Sequence, residues 1–181
     1  GGVLRMRLRH RQHGASLIEV LIALGLVAVT MLGLLALQLR TMGLQKDSLD
    51  RRAAAVLVGG FADRVAVNFT AFRAGAYNGR VLGPTDTPPA SGGSLVACST
   101  ATPSTCAPAD VANREWELFQ MDVRSRLPNG VAFINSTATD ALITVGWVDP
   151  RRGEDGAGTD PVCASVGLDA TFRCYAARVT P

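Results

Sequence analysis

The chain has 181 residues, of which 48% are apolar and 6% aromatic, with 18 basic and 15 acidic side chains and a formal charge of +3. That length accommodates one compact domain plus a long extra element and excludes two full domains. Arg5, Arg7, Arg9 and Arg11 open the chain with no acid among them; without these four the balance is 14 basic to 15 acidic, or −1, so the body lacks the net positive charge of a nucleic-acid-binding surface.

His10 and His13 are the only histidines, and both lie in this basic leader, so no histidine is available further on as general base, triad member or metal ligand. The leader contains one candidate start, Met6, and runs to Gly14. An apolar run follows to Leu39, interrupted only by Ser16, Glu19, Thr30 and Gln38, and from Val20 to Leu37 it carries no charge. In helical form about 20 to 25 such residues span a bilayer. The arginines before it place that end in the cytoplasm. A secretory signal peptide is the competing reading, but the run is too long for an h-region and no A-x-A-like site ends it. A plain signal anchor competes as well, and Glu19 speaks against it. A carboxylate inside a spanning segment costs about 2.5 to 3.5 kcal/mol at its centre and less at an edge, so it marks a function or a partner.

The basic leader, Gly14, one residue, Ser16-Leu17-Ile18-Glu19 and a long apolar helix together resemble the class III signal of type IV prepilins and of type II secretion pseudopilins. The resemblance implies cleavage after Gly14 by a prepilin peptidase, methylation of the new amine at Ala15, and a role for Glu19 in subunit assembly. Ala15 stands where that family usually has phenylalanine.

Beyond the membrane the helix is predicted to continue to about Phe69, for a total of ~80 Å at 1.5 Å per residue. Leu49, Ala53, Val56, Leu57, Phe61, Val65 and Asn68 recur at three- and four-residue steps, with Asp47, Asp50, Arg51, Asp63 and Arg64 largely off that stripe. No heptad is sustained, which argues against a coiled coil. From Arg73 to Ala109 glycine, proline, serine and threonine predominate, and this stretch reads as a connecting loop.

Asp110 is the expected N-cap of a second helix with Trp116, Phe119, Val123 and Leu127 on one stripe, ended by Pro128-Asn129-Gly130. Strands are expected over Val131 to Asn135, Leu142 to Val148 and Thr171 to Val179. Trp116 and Trp147 sit at helical and strand spacing and read as core. The intervening loop, Asp149 to Asp160, carries acids that offer oxygen ligands for calcium. Its spacing is not that of an EF-hand, and Arg151 and Arg152 compete for the carboxylates, so it reads as a solvated loop or partner contact.

The four cysteines, Cys98, Cys106, Cys163 and Cys174, fit neither a zinc site nor a C-x-x-C redox motif. An even count beyond a membrane segment reads as two disulfides in an oxidising periplasm, where three connectivities are possible. The sequential one, Cys98 with Cys106 and Cys163 with Cys174, closes two short loops bounded by turn residues and is the preferred expectation.

Asp110, Trp116, Leu127-Pro128, Gly130 and Thr144-Val145-Gly146-Trp147-Val148-Asp149 are similar to the PilV-type minor pilins, also called type IV pilus modification proteins. So are Leu37-Gln38-Leu39-Arg40, Arg52-Ala53, Ala62-Asp63-Arg64 and Asn68. The expected architecture is thus α+β and pilin-like: a long N-terminal helix packed by a small antiparallel sheet with one further helix. Its segments are the leader (1–14), a transmembrane or filament-core helix (15–39), its periplasmic extension (40–70), a loop (71–109) and a helix-plus-sheet body (110–181). The resemblance implies a non-enzyme without cofactor or bound metal, anchored in a bacterial inner membrane with a periplasmic body and moved into an extracellular pilus. Its implied partners are the prepilin peptidase, other major and minor pilins and a large tip adhesin, with no nucleic acid. Three alternatives stand beside it: an I-type minor pseudopilin of type II secretion, a pilus-borne DNA-uptake receptor, and an anchored periplasmic binding module.

Overall fold

The computed structural model describes residues 16–89, 106–152, 156 and 158–180. The chain divides into two compact units, residues 1–44 and residues 45–181. Helix α1 is continuous from Leu17 to Val67. The described part of the first unit is helical from Leu17 on and makes no core of its own, every residue from Ser16 to Met42 being exposed.

The second unit holds the core. In it α1 is followed by α2 (Phe69–Arg73), β1 (Arg80–Leu82), α3 (Pro108–Arg126), β2 (Val131–Ser136), β3 (Ala141–Val148), α4 (Pro161–Ser165) and β4 (Phe172–Val179). The four strands form one sheet in the order β1-β2-β3-β4, antiparallel throughout. The α+β expectation is met. Of the additional helices, α3 was expected, whereas α2 and α4 are five residues each and were not.

Strand alternation builds two apolar layers, one on each face of the sheet. On one face Leu82, Ala132, Ile134, Ile143, Val145 and Trp147 meet α1 and α3. The other face carries Val131 and Phe172, covered by Cys163 and Leu168. Phe61 of α1 is the centre of the first layer. Its ring stacks on Phe119 at 4.2 Å between centroids and meets Tyr77 and Trp116 edge-on at 6.0 and 6.3 Å. Trp116 and Trp147 are both buried.

The buried stripe of α1 runs Ala54, Leu57, Val58, Phe61, Val65. This corrects part of the expected stripe, because Leu49 and Val56 lie exposed while Ala54 and Val58 take the inward positions. The start of α3 also differs from expectation. Its N-cap is Ala107, with Pro108 at the first helical position and Asp110 inside the first turn. Proline has no N–H to leave unsatisfied there and its fixed φ suits the first turn, so the helix begins earlier than Asp110 alone suggests.

Two glycines are required by close approach. A Cβ on Gly130 would lie 2.5 Å from the Val123 carbonyl, where the chain turns off α3, and one on Gly146 would lie 2.9 Å from Val131 and 3.1 Å from Leu168. The second allows the α4 segment to sit directly on the sheet. There Cys163 and Cys174 form a disulfide that fastens α4 to β4.

Candidate functional site

The functional segment begins where α1 does. The Ser16 carbonyl accepts from the N–H groups of Glu19 at 2.9 Å and Val20 at 3.3 Å, so Ser16 takes the N-cap position and Glu19 the third helical one. Ser-x-x-Glu is the capping-box pattern, in which each side chain would satisfy the other's main-chain N–H. Among the described residues, however, neither the Ser16 hydroxyl nor the Glu19 carboxylate has a hydrogen-bond partner. Glu19 therefore stands exposed at the head of an apolar helix. Gly14 and Ala15, the expected cleavage point, lie outside the described residues.

After Glu19 the helix presents apolar side chains all round. An 18-residue window reaches a mean hydropathy of 2.8 with none of it buried, which makes α1 long and apolar enough to cross a membrane. Two hydroxyls of its N-terminal part are internally satisfied: Thr30 donates to the Val27 carbonyl at 2.8 Å and Thr41 to the Gln38 carbonyl at 2.9 Å. Neither demands water, so these two hydroxyls do not oppose lipid. Fully exposed to water, its leucines, isoleucines and valines would each forgo about 1.5 to 3 kcal/mol of burial.

Two polar clusters stiffen the body, and neither was singled out from the sequence. At one end of α3, Asn68 donates to the Tyr77 hydroxyl at 3.1 Å and to the Pro108 carbonyl at 2.9 Å, while that hydroxyl donates to the Glu115 carboxylate. Burial raises the pKa of both: Tyr77, further raised by its bond to Glu115, and Glu115, against the lowering effects of Tyr77 and Arg64. At the sheet's other end, Arg173 lies between Asp149 and Asp47. These side chains sit 9 to 126 positions apart in sequence, and only the short-range Asp47 to Arg51 pair, 3.3 Å, was legible as a spacing.

The loop Asp149 to Asp160, read from the sequence as a solvated loop or partner contact, is described only in part, since residues 153–155 and 157 lie outside the described residues. Asp149 is occupied by arginine, and Asp160 caps α4 by accepting from the Val162 N–H at 3.0 Å. Among the described residues no group of histidine, cysteine, aspartate and glutamate is arranged to hold a metal ion. Cys106 is disulfide-bonded, and Cys98 lies outside the described residues.

Residues 9–35 match the model of the prokaryotic N-terminal methylation motif. No curated protein and no solved structure matches the chain. The matched stretch takes in the end of the basic leader, Gly14, Glu19 and the first half of the exposed apolar helix, while the body has the helix-and-sheet composition of a pilin-like α+β fold. The chain thus carries at its N-terminus the class III signal of type IV pilins, the mark of a prepilin-peptidase substrate.

Proposed function

We propose that the chain is a minor pilin of the type IV pilus, of the PilV type, which helps to initiate the filament or to cap its tip. The observation that carries this reading is the position of Glu19: a carboxylate without a partner among the described residues, one turn into the exposed apolar part of α1, inside the matched methylation motif. In the precursor the helix is held in the inner membrane with the body in the periplasm. A prepilin peptidase cuts between Gly14 and Ala15, and the new amine lies about one helical turn from Glu19. When the helix leaves lipid for a filament core, both charges leave water. An unpaired buried charge is costly by several kcal/mol and a hydrogen-bonded pair much less so. Pairing between the amine of one subunit and the Glu19 of its neighbour neutralises both and sets the axial register.

The body supplies no catalytic pairing in this reading; its role is contact with other pilins and with a large adhesin at the tip. Quantitative mass spectrometry of sheared filaments tests it. The chain should be present at far lower abundance than the major pilin, and its deletion should reduce filament number. Absence from pili combined with a defect in type II secretion would identify an I-type pseudopilin instead. Retention in the membrane with pili unaffected would favour an anchored binding module.

A further inference from the structure

The helix that carries the matched motif begins at a defined residue. Ser16 is not helical and Leu17 is, and the Ser16 carbonyl takes the first hydrogen bonds of α1, from the Glu19 and Val20 N–H groups. In sequence this start falls just after the bond between Gly14 and Ala15 at which processing is assigned.

The apolar residues alone do not put the boundary there. Alanine is the best of helix formers and leucine is close behind, so Ala15 and the run from Leu17 favour a helix that continues back toward Gly14, the first poor helix former in that direction. Ser16 is the residue that opposes this. At an N-cap serine ranks with asparagine and aspartate and far ahead of alanine or leucine, because its side chain accepts from the second or third N–H of the helix. The Glu19 N–H, third in α1, is already bonded to the Ser16 carbonyl at 2.9 Å, which leaves the Ile18 N–H, the second, as the donor open to the hydroxyl. That hydroxyl has no other partner among the described residues, and Ser16 is exposed.

The position of the boundary decides access to the bond. A peptidase must reach the carbonyl of the bond it cuts and the N–H beyond it, and a helix takes both groups into its own ladder. A helix that ran back over Ala15 would close the bond; one that stops at Ser16 leaves it outside.

We propose that Ser16 is a positioning residue for cleavage: as N-cap it stops α1 short of the bond between Gly14 and Ala15. The two polar ends of Ser16-Leu17-Ile18-Glu19 then serve successive steps, Ser16 the cut and Glu19 assembly. The proposal rests on the prepilin-peptidase reading given above.

The rate at which prepilin peptidase cuts the full chain in membranes tests it, with the Cα chemical shifts of the uncut chain in detergent micelles as a second readout. Ser16→Ala and Ser16→Leu should slow cutting by about fivefold, the usual effect of losing an N-cap, and position 16 should take on helical shifts. Ser16→Asn should be cut as fast as the unaltered chain, with position 16 still outside the helix. Ser16→Ala chains that are cut should enter filaments in normal proportion, whereas Glu19→Ala should be cut normally and fail to enter. Full-rate cutting of Ser16→Ala would overturn the proposal, as would unchanged shifts at position 16 in that variant. Slow cutting of Ser16→Asn beside normal cutting of Ser16→Thr would overturn it too, since the peptidase would then be reading the hydroxyl itself. An unaltered chain that is never cut would bring down the processing reading, and the proposal with it.

Discussion

Arg173 donates from Nε to the Asp149 carboxylate at 2.7 Å, and the same nitrogen lies 3.2 Å from Asp47 on α1, the second contact being an ion pair without hydrogen-bond geometry. One guanidinium thereby ties the end of β3, the start of β4 and the long helix together. The Asp149 side chain is only 8% exposed. Arg173→Met should therefore destabilise the body by about 3 kcal/mol, chiefly because it strips the buried Oδ2 of that carboxylate of its guanidinium and leaves Arg151 alone on the Oδ1 side. Adding Asp149→Asn should recover part of the loss. Denaturant unfolding of the single and double variants checks this, and additive losses would show that the two side chains are not coupled.

The same pair predicts the acid limb of stability. Burial alone would raise the pKa of Asp149, but the bond from Arg173, the Arg151 N–H and the charges of both arginines outweigh it and hold the carboxyl below its ordinary value. A lowered folded-state pKa contributes stability that is present above about pH 4 and is lost as the pH falls through the lowered value. Glu115 has the opposite sign. Its pKa is raised, first by burial, so ionising it disfavours the fold as the pH rises above the usual carboxylate range. Asp149→Asn should flatten the stability profile at low pH, and Glu115→Gln should flatten it on the neutral side of that range. Thermal unfolding across pH 2 to 8 reads both slopes.

The Cys163 to Cys174 bond closes a loop over a sequence separation of 11 and pins α4 across Gly146. Reduction, or Cys163→Ser with Cys174→Ser, should cost about 2 to 3 kcal/mol. Proteolysis should then begin in the segment before β4, while α1 stays intact. Limited digestion under oxidising and reducing conditions shows whether it does.

How much of this was legible in the sequence depended on the range of the interactions. The apolar run after Glu19 and the Phe61 to Val65 stripe are periodic signals, and hydropathy alone placed them on one helix. Strand β1 was hidden because three residues inside a glycine- and proline-rich stretch acquire strand character only by pairing with Ala132 to Ile134. Helix α4 did leave a signal, since Asp160-Pro161 is an N-cap followed by proline at the first helical position, but five residues are too few for a period. The Asn68, Tyr77 and Glu115 cluster left none. Its members are partners only because α1 and α3 pack around Phe61.

Glu19 offers the sharpest genetic test of the assembly reading. Glu19→Ala removes a charge from an apolar segment, which eases insertion, so membrane content and cleavage should be nearly unchanged. Incorporation should fall sharply, by about tenfold or more, because the neighbouring amine would enter the core without a partner. The ratio of this subunit in sheared filaments to that in membranes measures it. An unchanged ratio would make Glu19 a tolerated carboxylate at the membrane edge.

The central claim is that residues 9–35 are read by the cell as a processing signal. The intact mass of the chain, purified from cells with and without active prepilin peptidase, addresses it most directly. The account predicts a mature form that begins at Ala15, carries a methylated amine and appears only where the peptidase is active. A chain of the same mass in both cells, still bearing Gly14 and the arginines before it, would contradict the account.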